Sequence, residues 1–315
     1  MSTQTVSSLD LLVPLDGSPL AEQALPLARM LAALAPTSIH LLRVISPTVV
    51  SSLVRHEAAL LSAAGDTLGD RDEQMDAMRE VLETEAESYL NQLVGPLAAI
   101  ARDVDYEVAF GTPAEQIVAA ASRHSDSLIV MATHGKGGLL RWALGSVTTR
   151  VLQSSAHPVL VARGARPGVS AAATPALRRI MVSLDGSLTA ERALPLATGL
   201  ARAAHADMLL AQVIDPVDAP IATLTADEAT GRLRELAFGY LDHIAEQITR
   251  DVGRHVTTTV PVGHVAEEIV DEAGRKHIDL IVLGRHGLGG ALPAFLGGTA
   301  EKVIQASTVP LLVAG

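Results

Sequence analysis

The chain is a duplication, and that restricts it to folds that can be built twice from about 150 residues. Leu15-Asp16-Gly17-Ser18, Ala21-Glu22 and Ala24-Leu25-Pro26-Leu27-Ala28 recur as Leu184-Asp185-Gly186-Ser187, Ala190-Glu191 and Ala193-Leu194-Pro195-Leu196-Ala197. Asp16 and Asp185 are 169 positions apart, and Val44-Ile45 recurs at that offset as Val213-Ile214. Gly111, Gly135, Gly145 and Pro158 instead match Gly263, Gly287, Gly297 and Pro310, at an offset of 152. The first copy therefore carries 17 extra residues between Val44 and Gly111. The Ser- and Ala-rich stretch from Ser46 to about Asp72 reads as a surface excursion ahead of a helix. Two domains are expected, 1–163 and 177–315, joined by a linker at 164–176 rich in Gly, Ala, Ser and Pro.

Within each copy, short apolar runs alternate with helical stretches, and the runs lack the polar alternation of a sheet with one wet face. Strands are expected near Leu9 to Leu15, Ser38 to Ile45, Val104 to Phe110, Ser127 to Ala132 and Val159 to Ala162. The clearest helix runs to about Ile100, with Met75, Met78, Leu82, Ala86, Tyr89 and Leu93 on one face. Its counterpart uses Leu233, Leu236, Tyr240, Ile244 and Ile248, and both should contribute core. Right-handed crossovers make each copy a five-stranded, doubly wound parallel α/β sandwich, Rossmann-like, with its ligand crevice at the carboxyl ends of the strands. Pro26 and Pro195 fall inside the first helix of each copy, where the missing N–H should kink or shorten it.

After the fourth strand comes Ala132-Thr133-His134-Gly135-Lys136-Gly137-Gly138, then Gly145-Ser146 and a helix from Val147; the second copy has Gly284-Arg285-His286-Gly287, then Gly297-Gly298-Thr299. Glycines let backbone N–H groups approach a ligand closely, and a helix start adds unpaired donors and a positive dipole end, a combination suited to phosphate. Turn formation alone is the competing reading, and recurrence of the frame after the same strand weighs against it.

On these residues the sequence resembles the universal stress protein family in its tandem form, over nearly the whole chain. The ATP-binding members carry G-x-x-G-x9-G-[ST] after the fourth strand, an Asp ending the first strand and a Val ending the second. The resemblance implies that Asp16 and Asp185, with Pro14 and Leu15 beside the former, face the nucleoside, and that the backbones of Val44 and Val213 meet the adenine edge. It places Gly135, Gly145, Ser146 and Val147, and in the other copy Gly284, Gly287 and Gly297, around a triphosphate carrying Mg²⁺. It also implies that the last strands, Pro158 to Ala162 and Pro310 to Ala314, pair with each other as an intramolecular pseudo-dimer; further homodimerisation is left open.

Each copy departs from that pattern once. Ala132 stands where the first glycine belongs, adding a methyl near the nucleotide path; in the second copy Gly298 stands at the Ser/Thr position, with Thr299 as the possible substitute. Lys136 and Arg141 offer charge to a polyanion in the first copy, whereas Leu288 and Pro293 stand there in the second and leave only Arg285. The first copy should bind ATP more tightly. His134 and His286 repeat in the loop and could touch phosphate, though a loop-shaping role is the commoner use. Asp16 can equally serve as a turn former or helix cap.

Composition narrows the function classes. A formal charge of -11 opposes a nucleic-acid phosphate track and an anionic membrane surface, and 2% aromatic residues leave little for base stacking. Absence of cysteine excludes disulfides, thiolate metal sites and cysteine nucleophiles. The start MSTQTVSSLD lacks a signal-peptide pattern, so a cytoplasmic protein is expected. The haloacid-dehalogenase nucleophile is missing, since Pro14 and Ser183 occupy its position, and no Walker-type loop is present. No site carries a catalytic metal or an evident general base. The expectation is an ATP-binding regulator in stress response. The alternatives are a slow ATPase or autophosphorylating protein, using Ser146, Thr148 or Thr149, and a nucleotide-free dimerisation scaffold. AMP or a cyclic nucleotide remains an alternative ligand.

Overall fold

The computed structural model describes residues 9–64, 70–133, 144–163, 176–216, 225–285 and 297–314. In the first half, strands β1 (Leu9–Pro14), β2 (Thr37–Ile45), β3 (Asp103–Phe110), β4 (Ser127–Ala132) and β5 (Val159–Ala162) alternate with helices α1 (Ala24–Leu34), α2 (Pro47–Ala64), α3 (Arg71–Ala98), α4 (Pro113–Ala121) and α5 (Ser146–Ser154). In the second half, β6 (Arg179–Ser183), β7 (Asp207–Ala211), β8 (Val256–Thr259), β9 (Leu280–Gly284) and β10 (Leu311–Ala314) alternate with α6 (Leu188–Glu191), α7 (Leu194–Ala204), α8 (Ala226–Val252), α9 (Val265–Arg275) and α10 (Gly298–Ala306). The strands expected from sequence are all present.

All ten strands join one sheet, in the order β3-β2-β1-β4-β5-β10-β9-β6-β7-β8. Neighbours within each half are parallel. The halves meet where β5 and β10 run antiparallel, with Leu160 opposite Leu312. Each last strand thus covers the edge that the other would leave open. Because the junction is antiparallel, the carboxyl ends of the two halves face opposite ends of the sheet. The chain reverses direction across the sheet between β1 and β4, and between β6 and β9, so each half has its own crevice there.

Strands buried on both faces need two apolar layers over them. One layer, from α1, α3, α7 and α8, runs continuously across both halves over residues such as Leu11, Leu41, Leu160, Val182 and Leu312. The other, from α4, α5, α9 and α10, covers Leu12, Ile129, Val161, Ile281 and Val313.

The prolines shorten the first helix of each half as expected. A single 3-10 turn, Ala21–Gln23, precedes α1, which has Pro26 in its first turn; in the second half, α6 ends before α7, which places Pro195 where a missing N–H costs least. The excursion expected after Ser46 is instead α2, which buries Val50 and Val54. Val50 joins Ala86 of α3 in a small separate core with Met75, Met78 and Leu82 against it. Among the described residues the second half has no such helix. That difference corrects the reading of α8: Leu233, the counterpart of Leu82, and Leu236 are exposed, since no described residues cover them as α2 covers α3, and the buried face of α8 uses Ala237, Leu241 and Ile244. Among the described residues no helix is long and apolar enough to cross a membrane. Of the expected linker at 164–176, residues 164–175 lie outside the described residues.

Candidate functional site

Each crevice begins with a tight turn at the end of the first strand. Asp16 Oδ1 accepts the Ser18 N–H at 2.9 Å, and Ser18 Oγ accepts the Ala21 N–H at 3.1 Å. The second half repeats this: Asp185 Oδ1 accepts the Ser187 N–H at 3.0 Å, and Ser187 Oγ accepts the Ala190 N–H at 3.1 Å. The aspartates shape the turn, and the serines, not the aspartates, cap the following helical turn. The glycine between Asp and Ser must take positive φ, +72° at Gly17 and +84° at Gly186.

Leu15 is buried toward the α1 layer and sends its N–H to the Leu42 carbonyl at 2.8 Å, so it borders the crevice through its backbone. Pro14 ends β1 beside it. Val44 and Val213 are half-buried against the opposite layer, the one built by α4, α5, α9 and α10.

A second shared feature lies behind the turns. The Tyr89 hydroxyl donates to Glu22 Oε1 at 3.0 Å, and Tyr240 donates to Glu191 Oε1 at 3.0 Å. Burial first, and then the glutamate accepting the hydrogen bond, push both phenols well above their ordinary range. This pair was missed in the sequence, although Glu22 and Glu191 lie inside the repeated motif. The halves differ at β2, where Arg43 Nη1 would stand 2.6 Å from a Cβ added at Gly17, whereas a Cβ at Gly186 would meet nothing within 4 Å. Gly17→Ala therefore costs the roughly 1–2 kcal/mol of a left-handed alanine plus displacement of Arg43, and Gly186→Ala costs the strain alone. Urea denaturation of the two variants should show the larger loss at Gly17; equal losses would mean that Arg43 does not support the turn.

The glycine loop of each half is closed at its base. The Gly145 N–H donates to the Thr133 carbonyl at 2.7 Å, and the Gly297 N–H donates to the Arg285 carbonyl at 3.1 Å. Gly145 and Gly297 are the N-caps of α5 and α10, and neither provides a capping side chain, so among the described residues the first amides of both helices have no side-chain acceptor. Ser146 is exposed on the first turn of α5; Gly298 and Thr299 are exposed on the first turn of α10. His134, Gly135, Lys136, Arg141, His286 and Gly287 lie outside the described residues.

Three expectations need correction. The Ala132 methyl packs into the α1-side core and is 7% exposed, so it does not obstruct the crevice. Thr148 is buried and donates its hydroxyl to the Ala132 carbonyl at 2.9 Å, which removes it as a phosphate acceptor. Arg285 is buried and reaches across the junction toward the His157 carbonyl, at 3.4 Å from Nη2, so its guanidinium is directed into the junction. Arg163 makes the reciprocal crossing, donating to the Ser307 carbonyl at 2.7 Å and the Gln305 carbonyl at 2.9 Å at the end of α10. Burial lowers the pKa of both guanidines. In the second half a cavity of about 720 Å³ adjoins Thr299 and is also lined by Asp215, His264, Glu267 and Lys302.

The sequence model of the universal stress protein family matches residues 10–163 and again 176–315. The chain belongs to that family. A universal stress protein of Mycolicibacterium smegmatis is 27% identical over 316 residues, covering 98% of both chains. The Bacillus subtilis universal stress protein YxiE is 28% identical over 144 residues, covering 43% of this chain and 97% of its own length, so it corresponds to one half. The crystal structure of a universal stress protein from Archaeoglobus fulgidus superposes with a TM-score of 0.68 at 22% identity, covering 97% of this chain and 95% of that one, which shows a common fold. In this universal stress protein the two halves share one sheet and two continuous cores, yet their crevices are chemically unequal. A hydroxyl at Ser146 in half one is replaced by Gly298 in half two. Arg43 is replaced by Gln212.

Proposed function

We propose that this universal stress protein binds an adenine nucleotide, ATP with Mg²⁺, chiefly in half one, and that occupancy is the signal it contributes to a stress response. The observation that carries the reading is the uncapped start of α5 at Gly145, set beside the β1–β4 switch point with its loop closed onto Thr133. Amides without side-chain acceptors at a helix start suit phosphate oxygens, and the Ser146 hydroxyl adds a donor. Asp16 and the main chain at Val44 border the same strand ends, where a nucleoside would lie. Among the described residues no group of three His, Asp or Glu could hold a metal ion unaided. A Mg²⁺ would ride on phosphate oxygens and supply charge neutralisation, with the protein holding the phosphates rather than the ion. Half two keeps an uncapped helix start at Gly297 but lacks the Ser146 hydroxyl and directs the Arg285 guanidinium into the junction, so it should bind more weakly.

A scaffold reading is favoured by one observation, the β5–β10 pairing with continuous cores, which needs no ligand. The two separate on heating. A ligand at one hundred times its Kd stabilises the native state by about 2.7 kcal/mol. Millimolar Mg-ATP should therefore raise the thermal midpoint by several degrees, whereas inorganic phosphate at the same ionic strength should have a smaller effect. An unchanged midpoint favours the scaffold.

A further inference from the structure

Half one carries a positive charge beneath its Asp-Gly-Ser turn where half two carries a neutral amide, because Arg43 corresponds to Gln212 at the repeat offset. The Arg43 guanidinium packs against Gly17, at 2.6 Å from where a Cβ would stand, and its Cζ lies 5.9 Å from the centroid of the Tyr89 ring. Its Nη1 is buried with no hydrogen-bond partner among the described residues. Gln212 does not support its turn in that way, since the space beside Gly186 is open, and its Oε1 is likewise buried without a hydrogen-bond partner among the described residues.

A buried guanidinium nitrogen left without an acceptor is costly to the fold, and half two folds with an amide in its place. Packing alone therefore does not explain the arginine. What the two halves share is negative: a carboxylate in the turn, Asp16 or Asp185, and a glutamate held by tyrosine behind it, Glu22 or Glu191. A polyphosphate brought to these strand ends is repelled by both. Charge interactions in partly screened protein surroundings act over several ångströms, so a guanidinium beneath the turn offsets that repulsion in half one only.

We propose that Arg43 sets how strongly half one favours added phosphates: affinity there rises more steeply with each phosphate on adenosine than in half two, which has Gln212. Arg43 acts through the turn, as a charge-placing residue rather than a direct contact. This deepens the nucleotide reading above and rests on it.

The test uses the full chain with 8-azido-ATP and 8-azido-adenosine, photolabelling at increasing concentration, and peptide mapping to assign the label to each half. In the wild type, half one should reach half-saturation at an ATP analogue concentration about tenfold below that of the adenosine analogue. Arg43→Gln should cut that preference to about that of half two while leaving the adenosine value unchanged, Arg43→Lys should keep it, and Gln212→Arg should steepen it in half two. Should Arg43→Gln weaken both probes equally, or Arg43→Lys lose the preference as Arg43→Gln does, the residue merely supports the turn and the inference is overturned while the nucleotide reading stands. Should neither probe label either half of the wild type, the nucleotide reading itself fails.

Discussion

Leu160→Ala should destabilise both halves although the substitution lies in only one. Leu160 is 1% exposed on β5, opposite Leu312 on β10, and both side chains belong to the layer that crosses the junction. Truncating a buried leucine removes its transfer free energy and leaves a cavity, together about 2–5 kcal/mol. Because the sheet and both cores are continuous, the loss should spread through the junction. Native-state hydrogen exchange should show weakened protection at β9 as well as at β4, and the double variant with Leu312→Ala should be non-additive by at least about 0.5 kcal/mol. Loss confined to β4 and its neighbours would mean that the halves are energetically independent despite their shared sheet.

Ser146→Asp should move stability and ligand affinity in opposite directions. Residue 146 opens α5, where a carboxylate interacts favourably with the helix dipole and is worth about 0.3–1 kcal/mol at an exposed site. The same negative charge would occupy the place proposed for phosphate oxygens, so Mg-ATP affinity should fall by about a hundredfold, as charges at close range require. Thermal unfolding without nucleotide reads the first effect and calorimetric titration reads the second. A variant that binds ATP as the wild type does would remove the start of α5 from the site.

Much of this was legible because duplication doubles every signal. The β1 turn, the glycine frame and the last strands each recur, so the parallel order followed from pattern; pairing of the last strands came with the family resemblance, and its antiparallel sense came from the structure. The less legible features are those one residue decides from afar. The excursion after Ser46 hides α2 because, among its described side chains, only Val50 and Val54 are fully buried, too narrow a stripe to stand out among Ser and Ala. Exposure of Leu233 depends on a covering helix that the described residues of half two do not include, which no periodicity within α8 could reveal. Arg285 reads as a loop cation by position, yet its long side chain turns into the junction, where a carbonyl of the other half accepts from it. Arg43 carries no motif; its meaning comes from lying under Gly17, a contact set by the β1–β2 register.

The central claim is that half one holds polyphosphate at the first turn of α5. The most direct measurement is a crystal structure of the full chain grown with Mg-ATP. The account predicts phosphate oxygens within hydrogen-bond reach of the Ser146 and Val147 amides and the base beside Val44. Nucleotide bound away from that turn, or that turn found empty at millimolar Mg-ATP, would contradict it.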